Sequence, residues 1–310
     1  MLRISVIIAT HNRADLLAVA LQSLAVQTLA QDEYEVIVVD NASTDRTRVV
    51  VDSIRRRQPN VQYIAEERLG LSWARNAGLS ASRSRYVAYL DDDAKAEADW
   101  LQALLAVLET ATPTPACVGG PVHLNWAGLP QTVPARFWSL LSYVNHGAED
   151  RRLGDKEHLV GANMAFDRDV LTRLGGFSTD LGRQGGKLLS GEEAQVISRI
   201  RQQGGAVHYA AKAAVWHIVQ PDRLKPSWLW RRMFWDGASQ PILDGAACQN
   251  RSYCALQAYR DVKRIVLLSV RCFLALPRRD RERCFDFALY ATQRAGRLRT
   301  HLLFLLSPAS

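Results

Sequence analysis

Three consecutive carboxylates, Asp91, Asp92 and Asp93, close the apolar run YVAYL. Like charges held side by side repel, so such a triplet calls for a cation or a turn role to offset it. A hard divalent ion, Mg2+ or Mn2+, takes oxygen ligands and keeps part of its shell for water and substrate phosphates, which suits one or two carboxylates plus a diphosphate. An acidic turn capping the next helix is the alternative, and the triplet alone does not choose. Asp40 ends a second apolar run, EVIVVD, ahead of Asn41-Ala42-Ser43-Thr44-Asp45. An acid there can accept hydrogen bonds from a base or ribose, while Ser43 to Asp45 can equally cap a helix. Arg75, beside Asn76 in LGLSWARNAG, can fork onto phosphate oxygens or lie on the surface. Glu192-Glu193 opens a helical pattern, where the helix dipole alone favours acids; one carboxylate near a metal-bound donor can also act as general base toward a hydroxyl. His217, in AAVWHIVQ, is either structural or a divalent-metal ligand.

These residues need a scaffold, and the first half of the chain supplies a pattern for one. Ile4–Ala9, Glu35–Asp40, Val61–Ile64 and Tyr86–Asp91 read as strands, with helical spacing of Leu17, Ala20, Leu21 and Leu24 between the first two. Thr44–Arg57, Leu71–Ser82 and Glu97–Leu108 are the next helices expected. Alternation of this kind predicts an α/β fold, a Rossmann-like, mostly parallel central sheet flanked by helices. Such sheets bind ligands beyond the carboxyl ends of their strands. Three of those ends, Thr10-His11-Asn12-Arg13, Asp40-Asn41-Ala42-Ser43 and Asp91-Asp92-Asp93, are polar and are expected to line one crevice.

From Ala111 to about Asp155 five prolines and two tryptophans interrupt any period, which reads as a long loop region. His158–Phe166 reads as a strand, Asp167–Leu174 as a short helix, and Gly182–Gly191 as a lid-like stretch before the helix Glu192–Gln203. Beyond Lys225 the pattern is mostly helical. The domain reading is therefore a catalytic domain over 1–225, with a donor half at 1–110 and an acceptor half at 111–225, and a basic helical C-terminal extension over 226–310.

Composition is that of a globular protein, 48% apolar and 23% charged. Residues 1–225 carry equal numbers of cations and anions, so the whole formal charge of +8 resides in 226–310. Clustered arginine attracts anionic lipid, nucleic acid or an acidic partner, or forms a solvated helix face; we place an anionic membrane surface first and expect no nucleic acid. Five cysteines, at 117, 248, 254, 272 and 284, include no CxxC pair and suggest neither a disulfide framework nor a zinc site. The apolar run at the N-terminus is too short for a secretory signal, and Ile265–Leu276, interrupted by Arg271, is too short to span a bilayer. The expected location is cytoplasmic, with peripheral attachment to the inner face of the membrane.

Taken together, VIIATHNR, VVDNASTD, GLSWARNAG, YLDDDAKAEADWL, GANMAF, GGF and SGEEAQVISRIRQQG follow an order and spacing that resembles family 2 glycosyltransferases of the GT-A fold, over roughly residues 3–240. The resemblance implies transfer of a sugar from a nucleotide-diphosphate donor, a UDP-sugar as first choice, to a glycan or lipid-linked acceptor hydroxyl in surface polysaccharide or glycolipid assembly. Thr10, Asn12, Arg13, Asp40 and Ser43 match the nucleotide-contacting set, joined by Arg75, Asp91 and Asp92. Asp93, Asp91 and His217 match the metal site, with Asp93 as the direct ligand. Glu193 matches the catalytic base of an inverting displacement, and Glu192 stays a competing candidate because the family's usual aspartate is a glutamate here. The QxxRW element of processive synthases is missing, so a single-addition enzyme is expected. An inactive sugar-nucleotide-binding scaffold and a nucleotidyltransferase are the rivals; THNR after the first strand lacks the glycines of the latter.

Overall fold

The computed structural model describes residues 1–245, 250–275 and 280–307. It divides into two compact units, Met1–Thr179 with Glu192–Gln220, and Asp180–Gly191 with Pro221–Ser310. The glycine-rich stretch before Glu192 thus groups with the C-terminal helices.

The first unit is built on eleven strands: β1 (Ile4–Thr10), β2 (Tyr34–Asp40), β3 (Val61–Ala65), β4 (Tyr86–Leu90), β5 (Ala94–Ala96), β6 (Pro115–Gly119), β7 (Val122–Asn125), β8 (Arg151–Arg152), β9 (Asn163–Asp167), β10 (Ala206–Tyr209) and β11 (Val215–Ile218). Eight form one sheet in the order β3-β2-β1-β4-β9-β6-β10-β8, and β5-β11-β7 form a second. Pairing is parallel from β3 through β4 and between β6 and β10; β9 runs antiparallel to both of its neighbours, and β8 runs antiparallel to β10. Helices α1 (Ala14–Ala25), α2 (Thr47–Arg55), α3 (Leu71–Ala81), α4 (Trp100–Thr110), α5 (Arg168–Arg173) and α6 (Glu192–Gln202) cover the sheet.

Strand periodicity explains the two layers. Ile4, Val6 and Ile8 point to the face where Leu17, Leu21 and Leu24 of α1, Val51 of α2 and Leu104 of α4 bury them. Ile7, with Ile37 and Val39 of β2, points to the opposite face, against Ala74 and Leu79 of α3 and Val196 and Ile200 of α6. Both faces are apolar, as a largely parallel sheet demands.

Two expectations are corrected here. The proline-rich region after Ala111 contains β6, β7 and β8 and a 3-10 turn at Ala135–Leu141, and β6 lies inside the main sheet. Pro115 hides that strand from pattern reading, yet proline is tolerated at a strand's first position. The strand expected from His158 begins at Asn163, because residues 161–162 form a turn that carries Gly161 against Arg75.

The second unit holds α7 (Pro226–Leu243), α8 (Arg251–Ala275) and α9 (Arg281–Leu306). Helices α7 and α9 cross where Gly237 meets the Gln293 carbonyl and Gly296 meets the Phe234 carbonyl, so closely that a Cβ at either glycine would overlap backbone. Gln293 donates to Asp236 at 2.7 Å and Thr300 to the Ala238 carbonyl at 2.9 Å, pinning the crossing. Asp261 of α8 is buried beside Arg294, Arg297 and His301 of α9. Contrary to the cysteine expectation, Cys272 and Cys284 are joined as a disulfide. Their spacing carries no sign of it; antiparallel α8 and α9 bring the two together. Cys117 and Cys254 are buried and lie outside that disulfide, and Cys248 lies outside the described residues.

Candidate active site

The ends of β1, β2 and β4 meet as expected for this topology. Parallel register sets Thr10 of β1 beside Asp40 of β2. The Thr10 hydroxyl donates to Asp92 at 2.8 Å, and Arg13, in the turn after β1, donates through Nη1 to Asp92 at 3.0 Å and Asp93 at 2.9 Å. One guanidinium thus offsets two carboxylates that would otherwise repel. Burial pushes the Asp92 carboxyl up to about 6, with the charge of Asp93 adding and Arg13 and Thr10 opposing.

Asn12, at a φ of 53°, occupies the left-handed region that asparagine tolerates. Its backbone N–H donates to Ser43 Oγ at 2.9 Å, and its side-chain oxygen accepts from the Thr44 and Asp45 amides at 2.7 and 3.2 Å. The exits of β1 and β2 are thereby tied together. Asp40 is buried and accepts from the Ser43 amide at 2.9 Å and the Tyr63 hydroxyl at 2.8 Å. Tyr63, missed in the sequence, lies on β3 opposite Val38 with the Arg48 guanidinium over its ring. A polar-tipped aromatic two residues before a strand's end beside Asp40 is the signal that could have found it.

Arg75 is not the surface residue that one reading allowed. It is 3% exposed on α3 and donates to Glu192 at 2.8 Å, Asp91 at 3.2 Å and the Gly161 carbonyl at 3.2 Å. Phe177 and Tyr89 flank its guanidinium. A Cβ at residue 161 would overlap that guanidinium and force it to shift. Asn76, next along α3, clamps the GGF turn by donating to the Phe177 carbonyl and accepting its amide. A single buried cation therefore joins Asp91, at the exit of β4, to Glu192, at the start of α6.

Glu192 and Glu193 differ in environment. Glu192 is buried against Arg75, and burial pushes its carboxyl up to about 7, with Glu193 adding and Arg75 opposing. Glu193 is half-buried; Oε2 of each residue is buried without a hydrogen-bond partner among the described residues. His158 lies within electrostatic reach of that carboxylate: burial lowers its pKa, His146 lowers it further, and Glu193 opposes. Nothing in the sequence singled it out.

His217 is placed by strand pairing. It lies on β11 opposite Ala94 of β5, and the Ile218 amide donates to the Asp93 carbonyl at 2.8 Å. This puts Nε2 of His217 3.4 Å from Asp93 Oδ1, with both residues 1% exposed. Among the described residues no cluster of three or more His, Cys, Asp and Glu side chains is arranged around one metal position. The Asp93–His217 pair nevertheless fits two ligands of one Mg2+ or Mn2+, which at right angles stand about 3 Å apart. Asp91, turned toward Arg75 and half-exposed, is not part of that pair.

Comparison with known proteins bears on this arrangement. The model of the family described as glycosyl transferase family 2 matches residues 5–175. The chain is 33% identical over 251 residues to a Haloferax volcanii protein named glucosyl-dolichyl phosphate glucuronosyltransferase, spanning 78% of each. It is 28% identical over 305 residues to the succinoglycan biosynthesis protein ExoM of Rhizobium meliloti, spanning 95% of this chain and 91% of that one. Among solved structures, the mannosyltransferase PcManGT from Pyrobaculum calidifontis, in complex with GDP-Man and Mn2+, superposes with a TM-score of 0.61 at 22% identity, over 98% of this chain and 87% of that chain. That likeness concerns the fold, which is of the GT-A type.

Proposed function

This chain belongs to glycosyl transferase family 2, and we propose that it moves a sugar from a nucleotide-diphosphate donor to a hydroxyl of a glycan or lipid-linked acceptor by a single inverting displacement. The observation that carries this reading is the buried Arg75 bridge, which draws Asp91 and Glu192 into one site across a hundred residues of chain. The donor is assigned to residues 1–110 and the acceptor to 111–225.

Within that assignment, Asp40 with Tyr63 receives the base, and the Asn12–Ser43 tie shapes the ribose pocket. Arg13 meets the phosphates, since the carboxylates it now offsets can exchange it for a cation. Asp93 and His217 would hold a divalent metal, whose contribution when bound is to neutralise the departing diphosphate; the fold neighbour that carries Mn2+ supports that choice. Glu193 takes the acceptor proton, because it is the less buried of the two and Arg75 hydrogen-bonds to Glu192 instead, although Oε2 of each carboxylate is open to accept. Arg75 is a positioning residue. The names of two relatives, one acting on a dolichyl phosphate and one in succinoglycan biosynthesis, support a lipid-linked or polysaccharide acceptor.

Thermal-shift measurements with UDP, GDP, dTDP and CMP, each with and without Mn2+, test the reading, since a ligand bound only by the native state raises its melting temperature. A Mn2+-dependent rise for one nucleoside diphosphate is expected, with UDP the first choice and GDP the alternative that the fold neighbour suggests. No rise with any of them would overturn the proposal in favour of an inactive scaffold.

A further inference from the structure

Helix α8 carries an exposed apolar face that the fold does not use. Tyr259, Val262, Val266, Val270 and Phe273 are all exposed, Tyr259 to 60%, Val266 to 57% and Phe273 to 70%. At 100° per residue these five fall within about 80° of arc, and Leu267 and Leu274 widen the stripe on one side. The opposite face, with Cys254, Ala258 and Asp261, is the buried one.

Charge along the same helix is one-sided. Arg260, Lys263, Arg264 and Arg271 are exposed, whereas the helix's single carboxylate, Asp261, is buried and ion-paired to Arg294 of α9. At 100° per residue the three arginines border the Leu267 side of the stripe, and Lys263 falls within it, its ammonium 5.5 Å from the Tyr259 ring. A soluble surface this apolar needs a partner. With every exposed charge positive, the complementary partner is apolar inside and anionic at its surface.

No helix among the described residues is long and apolar enough to cross a membrane. We propose that α8 lies in the plane of an anionic bilayer surface, its Tyr259–Phe273 stripe buried at the headgroup and acyl boundary while the bordering arginines meet lipid phosphates. The inference rests on α8 alone and stands or falls apart from the glycosyl-transfer assignment.

Co-sedimentation of the full chain with vesicles tests it, using phosphatidylcholine alone and phosphatidylcholine partly replaced by phosphatidylglycerol. Binding to the anionic vesicles, weakened as salt rises, is expected. A Val266→Glu/Phe273→Glu variant should bind at least about tenfold more weakly, since binding scales with buried apolar area. Arg260→Gln, Arg264→Gln and Arg271→Gln should each weaken binding about fivefold. These positions are exposed, so melting temperature and helix content should match the parent; the arginine variants decide the matter if the double variant misfolds. Equal recovery with both vesicle types, recovery with neither, or binding indifferent to both variant sets would overturn the proposal. So would a lipid-free dimer in light scattering that Val266→Glu dissociates, since the face would then belong to a second copy of the chain.

Discussion

Glu192 and Glu193 are neighbours in sequence in different surroundings. Oε1 of the first accepts from Arg75, whereas no hydrogen bond to the second is seen among the described residues; each keeps a buried Oε2 without a partner. On the proposed mechanism, Glu193→Gln should lower kcat by about 10²- to 10⁴-fold while nucleoside diphosphate still raises the melting temperature, because general-base catalysis is lost and donor contacts are not. Steady-state kinetics beside the thermal-shift assay checks both halves; full turnover by this variant would transfer the role to Glu192. Arg75→Ala removes one partner of a buried ion pair and strands Glu192. Chemical denaturation should show a loss of roughly 3–5 kcal/mol. Arg75→Lys should recover only part of that, since an ammonium cannot reproduce the planar fork to Asp91, Glu192 and Gly161.

At the scale of elements, the N-terminal ends of the parallel strands β1, β2 and β3 are stapled by Glu35 of β2. It is buried, and it accepts from Ser5 of β1, from Gln62 of β3, and from the backbone and guanidinium of Arg83. Burial alone would raise its pKa, but the hydrogen bonds from Ser5 and Arg83 outweigh it and leave the carboxyl below its usual value of 4.5. A depressed folded pKa means that this stabilisation is complete above the unfolded value and is lost as pH falls through the folded one. Urea titrations at stepped acidic pH should therefore show stability declining below about pH 4.5, and Glu35→Gln should flatten that acid limb while lowering the neutral plateau. Helix crossings make a parallel case. A side chain at Gly237 would drive into the Gln293 carbonyl, so Gly237→Val should destabilise the α7–α9 pair by at least about 1–3 kcal/mol, read as loss of helical signal at lower temperature.

Across the whole molecule, sequence-local features were legible and sequence-distant ones were not. Strands β1 to β4 and helices α1, α3 and α6 show in the sequence because each carries its own period of buried residues, and the polar strand ends at Thr10, Asp40 and Asp91 follow from topology. Acidic and cationic side chains were equally visible as candidates, since three adjacent aspartates or a paired glutamate advertise themselves by type. Pairing is what composition and period cannot carry. That Arg75 is buried rather than exposed, that it hydrogen-bonds Glu192 and not Glu193, that β11 sets His217 against Asp93, and that Cys272 meets Cys284 are all decided by contacts between distant segments. Short strands such as β6 and β8 owe their existence to neighbours that complete their hydrogen bonds. The sequence by itself determined which groups could do chemistry and the sheet that would gather them; the tertiary structure alone decided which carboxylates the buried arginine pairs with, because the energy of a buried charge depends on what stands within a few ångströms of it.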